Sequence, residues 1–160
     1  MEKATRTLIL VLGLPYSGRR AWALGMGFPV VDRSSVCRAL LDGKRDTIAC
    51  LPRVRSMMID MAWSLFAAGH ETVCLIDDAL YCSRAERATW GALGTLQPDP
   101  EMAFQTVVFR LSAAPDRCVE KAAAAGVTNA HALIEDRRGR IEAVGDDEEV
   151  FREIDHGITS

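Results

Sequence analysis

The run TLILVL, from Thr7 to Leu12, stops abruptly at Gly13 and constrains the fold more than any other stretch of this chain. It is unbroken leucine and β-branched side chains after the first threonine, so as a strand it has no face to offer water. Such a strand needs cover on both sides, which parallel sheets clothed by helices provide. FPVV (Phe28 to Val31), TVCLID (Thr72 to Asp77) and QTVVFRL (Gln105 to Leu111) share the pattern.

The intervening segments carry helical period and punctuation. The spacing predicts a short helix over Ser34 to Asp42 and a longer one over Leu51 to Ala68. The longer one has Pro52 in its first turn, Met57, Met58, Met61, Leu65 and Phe66 at core spacings, and Gly69 at its end. SRAE (Ser83 to Glu86) fits a capping box and predicts a helix from about Arg84 towards Leu96, after which GTLQPDPE reads as loop. Ser112 is expected to cap a helix running through Ala125 to a stop at Gly126, and Asn129 to cap another carrying HALIEDRRGR. The last stretch, GDDEEVFREIDHGITS, reads as an acidic loop, a short helix and a fraying end. Alternating strands and helices predict a three-layer α/β domain with a mostly parallel sheet of about four to five strands. Its 160 residues, 49% of them apolar, suit a single domain over residues 1–160 with one core.

Charge and cysteine usage narrow the partners. A formal net charge of −3 gives no general attraction to a polyanion or an anionic membrane, so any phosphate must be held by a local basic group. The five cysteines show no CxxC or Cys/His ligand spacing and follow no leader sequence, which points to a reducing cytoplasm. Cys74 lies in an apolar run and is expected to be a small core residue. No apolar run is long enough to span a bilayer as a helix, and no membrane association is expected.

The segment after the first strand is GLPYSGRRAW, Gly13 to Trp22. A strand, then Gly-x-x-x-x-Gly, then a helix is the context in which backbone N–H groups converge on phosphate. Gly13, Ser17, Gly18, Arg19 and Arg20 are therefore candidate anion-binding residues. The full pattern, however, continues with Lys and then Ser or Thr, and Arg19 and Arg20 stand in those places.

Taken with VVDRSSVCRALLDGKR, MAWSLFAAGHETVCLIDDA, SRAERATW and RCVEKAAAAG, the loop resembles the ordered blocks of the polynucleotide-kinase-like P-loop kinases of bacteriophages and bacteria. The resemblance covers about Thr7 to Phe151. It implies a P-loop nucleotide-kinase fold, ATP and Mg²⁺ as cofactors, a nucleotide or nucleic-acid end as acceptor, and a lid over about residues 127–145. In such kinases the loop lysine spans phosphates, the following hydroxyl binds Mg²⁺, and an aspartate after the second strand takes the proton of the acceptor. By position, Arg19 replaces the lysine and Arg20 the hydroxyl; Ser35 stands where the base is expected, with Asp32 three residues earlier. Arg38 matches the acceptor-phosphate arginine, Asp77 and Asp78 the metal or substrate carboxylates, and Arg137 and Arg138, with Arg140, the lid arginines. Tyr16 stands in place of a glycine and Leu80 in place of a threonine.

These departures fall on the chemical parts while the framework persists, which implies a degenerate nucleotide site and impaired transfer. Arg19 and Arg20 are expected to be able to pair with Asp77, Asp78 or Asp32 and close the old site. The arginines of DRRGR either reach a nucleotide or form local ion pairs on a solvated helix face. Three functions stay open at this point: a binding protein for nucleotide, nucleic-acid end or protein partner; an active kinase with Asp32 as base and Asp77 or Asp78 on the metal; and an interaction module that binds no phosphate.

Overall fold

A computed structural model describes residues 5–41, 51–76, 83–92, 103–143 and 150–155. In chain order the elements are β1 (Thr5–Leu12), α1 (Arg19–Gly25), β2 (Val30–Asp32), α2 (Arg33–Leu41), α3 (Leu51–Ala67), β3 (Thr72–Ile76), α4 (Arg84–Gly91), β4 (Ala103–Ser112), α5 (Pro115–Ala124), α6 (Ala130–Arg140) and β5 (Val150–Asp155). The strands form one sheet in the order β2-β3-β1-β4-β5, with every neighbouring pair parallel. Thr5 to Leu12 of β1 pair residue for residue with Ala103 to Arg110 of β4, which makes β1 the centre of the sheet.

The apolar run of β1 divides between two faces because successive side chains on a strand point to opposite sides. Leu8, Leu10 and Leu12 join Val31, Val73, Leu75 and Val108 beneath α2, α3 and α4, where Val36, Val54, Met58, Phe66 and Trp90 complete one core cluster. Ile9 and Val11 join Cys74, Ile76, Val107, Phe109 and Leu111 beneath α1 in a second cluster. There the Trp22 ring stacks on Phe109 with centroids 3.8 Å apart and meets Phe28 edge-on. Cys74 is fully buried, and burial pushes its thiol up to about 12. No helix among the described residues is long and apolar enough to cross a membrane.

Several boundaries follow the sequence closely. Pro52 occupies the first turn of α3, where no intrahelical N–H is needed. The helix ends in a turn in which the Gly69 and His70 N–H groups donate to the carbonyls of Phe66 and Leu65. Ser83 caps α4 by accepting from the Glu86 N–H at 3.1 Å, while the Glu86 carboxylate pairs with Arg55 of α3 instead of turning back on the cap. Within the described residues α4 stops at Gly91; the expected continuation towards Leu96 lies outside them.

Three expectations are corrected. Ser112 is the last residue of β4 and not a helix cap; α5 begins with Pro115, whose fixed φ suits a first helical position, and Ala114 precedes it without a side-chain cap. Asn129 does precede α6, but at φ 57° its side chain makes no capping bond. The segment expected as a short terminal helix includes β5. Its partners run from Val108 with Val150 to Ser112 with Asp155, with an irregularity after Val108. A helix of one or two turns gains few hydrogen bonds for its costly nucleus, whereas the edge of β4 offers a preformed ladder.

Candidate functional site

In this strand order β1 sends its chain towards β2 on one side, and β3 sends its chain past β1 to β4 on the other. Ligand crevices of open α/β sheets lie at such a reversal, outside the carboxyl ends of the strands. The loop after β1, Asp32 at the end of β2 and Ile76 at the end of β3 meet there.

The loop folds back on itself. The Ser17 N–H donates to the Leu14 carbonyl at 3.1 Å, and the Trp22 N–H to the Gly18 carbonyl at 2.9 Å as α1 begins. Tyr16 has φ 63° and Gly18 φ 88°; the tyrosine is therefore held in a region that side chains with a Cβ seldom adopt. Gly13 is required by space. A Cβ there would lie 2.9 Å from the Ser17 Oγ, 3.2 Å from the Leu111 carbonyl oxygen and 3.4 Å from the Arg19 Cδ. Ser17 is fully buried, and its hydroxyl has no hydrogen-bond partner among the described residues. Arg19, also buried, lies back across the loop. Burial raises the Cys118 thiol, and the charges of Arg19 and of Lys121, in the last turn of α5, oppose that rise.

Arg20 and Asp32 are joined across the crevice. Arg20 Nη1 lies 3.1 Å from Asp32 Oδ2, with the arginine side chain 62% exposed and the aspartate 9%. Asp32 directly precedes α2 and acts as its cap, accepting from the Ser35 N–H at 2.7 Å, the Ser34 hydroxyl at 2.8 Å and the Ser35 hydroxyl at 2.9 Å. Burial alone would raise this carboxyl, but the Ser34 and Ser35 donors, and then Arg20, hold it below the usual carboxylate value. Of the pairings expected from the sequence, Arg20 with Asp32 is present. Ser35 is thus a partner of Asp32, three residues into the same cap.

Two clefts flank the loop. One, of about 550 Å³, is lined by Tyr16, Gly18, Arg19, Arg20, Ala21, Leu24, Asp32, Ser34, Ile76 and Lys121. The other, of about 220 Å³, lies between Leu12 to Leu14, Arg110, Leu111, the start of α5, Arg138 and Ile141. Arg138 therefore borders the loop while also standing 3.8 Å from Glu135 on its own helix. Arg137 and Arg140 pair with Asp136 at 2.8 and 3.2 Å, the local arrangement of a solvated helix face. Arg38 is exposed in the last turn of α2 and lines neither cleft. Asp77 and Asp78 lie outside the described residues.

Ser34, Leu24, Arg110 and Lys121 entered the site without having been anticipated. Ser34 follows Asp32 by two residues, in a cap pattern of aspartate and serine that could have flagged it. Lys121 and Arg110 are brought in by β4 and α5 from about a hundred residues away, and nothing local marks them.

The cation that stands 3.1 Å from Asp32 Oδ2 is the Arg20 guanidinium. Among the described residues no group of three or more His, Cys, Asp and Glu could hold a metal ion.

No family model matches the sequence, and no curated protein matches it. Solved structures do. A protein from Chloroflexus aurantiacus assigned as a kinase is 20% identical, with 94% of this chain and 88% of that one covered and a TM-score of 0.63. A fungal RNA kinase is 9% identical over 100% of this chain and 78% of its own, with a TM-score of 0.61. A chain of the Pnkp1/Rnl/Hen1 RNA repair complex is 16% identical, with 85% of this chain and 44% of that one covered and a TM-score of 0.58. The fold is that of the P-loop kinases.

Proposed function

We propose that this chain is a binding protein built on a P-loop kinase fold, retaining a place for a nucleotide or phosphate beside the loop while its capacity for phosphoryl transfer is impaired. One observation carries the reading: Arg20, standing where the resembling kinases have a metal-binding hydroxyl, is paired at 3.1 Å with Asp32, the carboxylate nearest the expected base. Transfer relies on positioned charge, with Mg²⁺ and a lysine neutralising the phosphates and a base oriented on the acceptor. Here the metal position holds a cation. The carboxylate is engaged by four donors that depress its basicity. Arg19 keeps a positive charge at the loop, and Arg110 and Arg138 border the smaller cleft, which supports retained anion binding. The RNA kinase among the structural neighbours makes a nucleic-acid end one candidate ligand.

The test is calorimetric titration of the full chain with ATP, with and without Mg²⁺, followed by turnover assays on several hydroxyl acceptors. ATP binding unaltered by Mg²⁺, without turnover, is the expected result. Binding that requires Mg²⁺, or turnover lost in Arg19→Ala, overturns it in favour of an active kinase. That second reading is favoured by a specific placement: Asp32 and Ser34 line the same cleft as Gly18 and Arg19, so a carboxylate does face the loop. Absence of any ATP binding also overturns the proposal and leaves a structural interaction module.

A further inference from the structure

The second half of α6 has little to hold it in its own sequence. The buried residues of this helix, Ala130 and Ile134, belong to its first half, and no residue from Glu135 to Arg140 is buried. The charged groups of that half pair within the helix, Arg137 and Arg140 with Asp136 and Arg138 with Glu135. Exposed pairs of this kind contribute little. Gly139 stands in the same stretch, where it weakens a helix relative to alanine, and a Cβ added there would meet open space. Left to these terms alone, the half would open far more readily than the sheet.

It is pinned from beyond its end. The chain leaves α6 at Ile141 with ψ 109°, an extended conformation, and residues 141–143 run against α4. Ile141 packs on the core cluster that contains Trp90. The Arg84 backbone N–H donates to Glu142 Oε2 at 3.1 Å, and Arg87 Nη2 donates to the Ala143 carbonyl at 3.1 Å. Arg87 is only 2% exposed, so its bond is a charge-assisted one shielded from water. The helix that supplies these donors is itself fixed: Trp90 is buried, Ser83 caps the first turn and Glu86 pairs with Arg55 of α3. Arg138 and Ile141, on either side of the end of α6, border the smaller cleft together with Leu12 to Leu14.

We infer that Arg87 and the strap of residues 141–143 form a latch by which α4 holds the second half of α6, with Arg138 and Ile141, at the smaller cleft. When the latch breaks, residues 135–141 open as one unit while the sheet stays folded. The latch is independent of what the loop binds.

Native-state hydrogen exchange of the full chain, read by mass spectrometry over residues 135–141 and over β1 and β4, tests it without a ligand. Arg87→Met is expected to speed exchange over 135–141 by about tenfold or more and to leave β1 and β4 unchanged. Glu142→Ala, an exposed change, removes the second tie and is expected to speed the same amides by about threefold. Gly139→Ala is expected to slow them by about fivefold, because it strengthens the helix that the latch holds. Acceleration by Arg87→Met as large in β1 and β4 as in α6, unchanged exchange over 135–141 in Glu142→Ala, or no slowing in Gly139→Ala would each overturn the inference. Should Arg87→Met fail to fold, the other two variants decide it by the same criteria.

Discussion

Replacing Asp32 isolates what its carboxylate contributes to the fold apart from any ligand. In Asp32→Ala the first turn of α2 loses its cap, which costs about 1 kcal/mol, with a range of about 0.5–2. The half-buried Ser35 hydroxyl loses its acceptor as well, adding a fraction of the roughly 1–3 kcal/mol that an unsatisfied buried group costs. The pair with Arg20 adds little, because the arginine is largely exposed and an exposed pair is screened. The sum is about 2 kcal/mol at pH 7. Asp32→Asn keeps a capping oxygen and loses the charge, so it should cost about half as much. Urea denaturation of the parent protein and both variants between about pH 7 and pH 2.5 measures both quantities. The folded-state pKa of Asp32 lies below the usual 3.8, so its contribution is fully present above the unfolded value and is lost as pH falls through the folded one. The difference in stability between the parent protein and Asp32→Asn should therefore be constant from about pH 7 to about pH 5 and shrink at the acid end. A cost below about 0.3 kcal/mol for Asp32→Ala, or a gap that persists undiminished at about pH 2.5, would refute the account of Asp32 as a charged cap.

Gly13→Ala should lower stability by about 1–3 kcal/mol, because the new methyl meets the Ser17 hydroxyl and the Leu111 carbonyl; an unchanged melting temperature would show that the loop opens at no cost. Ser83→Ala removes the cap of α4 and should cost about 1 kcal/mol in denaturant titration, a value that a solvent-exposed serine without a cap would not show. Cys74, fully buried with its thiol pushed up to about 12, should resist alkylation at about pH 8 in the native protein and react on unfolding; mass spectrometry of iodoacetamide-treated native protein checks this, and rapid native labelling would contradict it. Trp22→Ala should cost about 2–3 kcal/mol, below the roughly 3–5 of a fully buried aromatic because Trp22 is only partly buried, by emptying the stack on Phe109, read as a loss of denaturation midpoint.

Much of the framework was legible in local patterns. Unbroken β-branched runs announced buried parallel strands, and Pro52, Gly69 and Ser83 marked helix ends, because each acts through its own backbone or its immediate neighbours. The loop between Gly13 and Gly18 was visible for the same reason, as were the arginines at positions 19 and 20. Local pattern failed where a distant partner decided the outcome. Residues 150–155 pair as a strand because β4 presents an open edge, and the conformation of six residues follows whichever hydrogen bonds are on offer. The site shows the same division. Asp32 and the two arginines could be named from the sequence, but that Arg20 reaches Asp32 while Arg19 lies back over Gly13 depends on how α1 sits against β2 and β3. Lys121, Arg110 and Leu24 belong to the clefts only because the parallel order β2-β3-β1-β4-β5 gathers every strand's carboxyl end on one side of the sheet. The order of residues determines which groups the chain carries and which turns it prefers; long-range strand pairing decides which of those groups share a few ångströms of space.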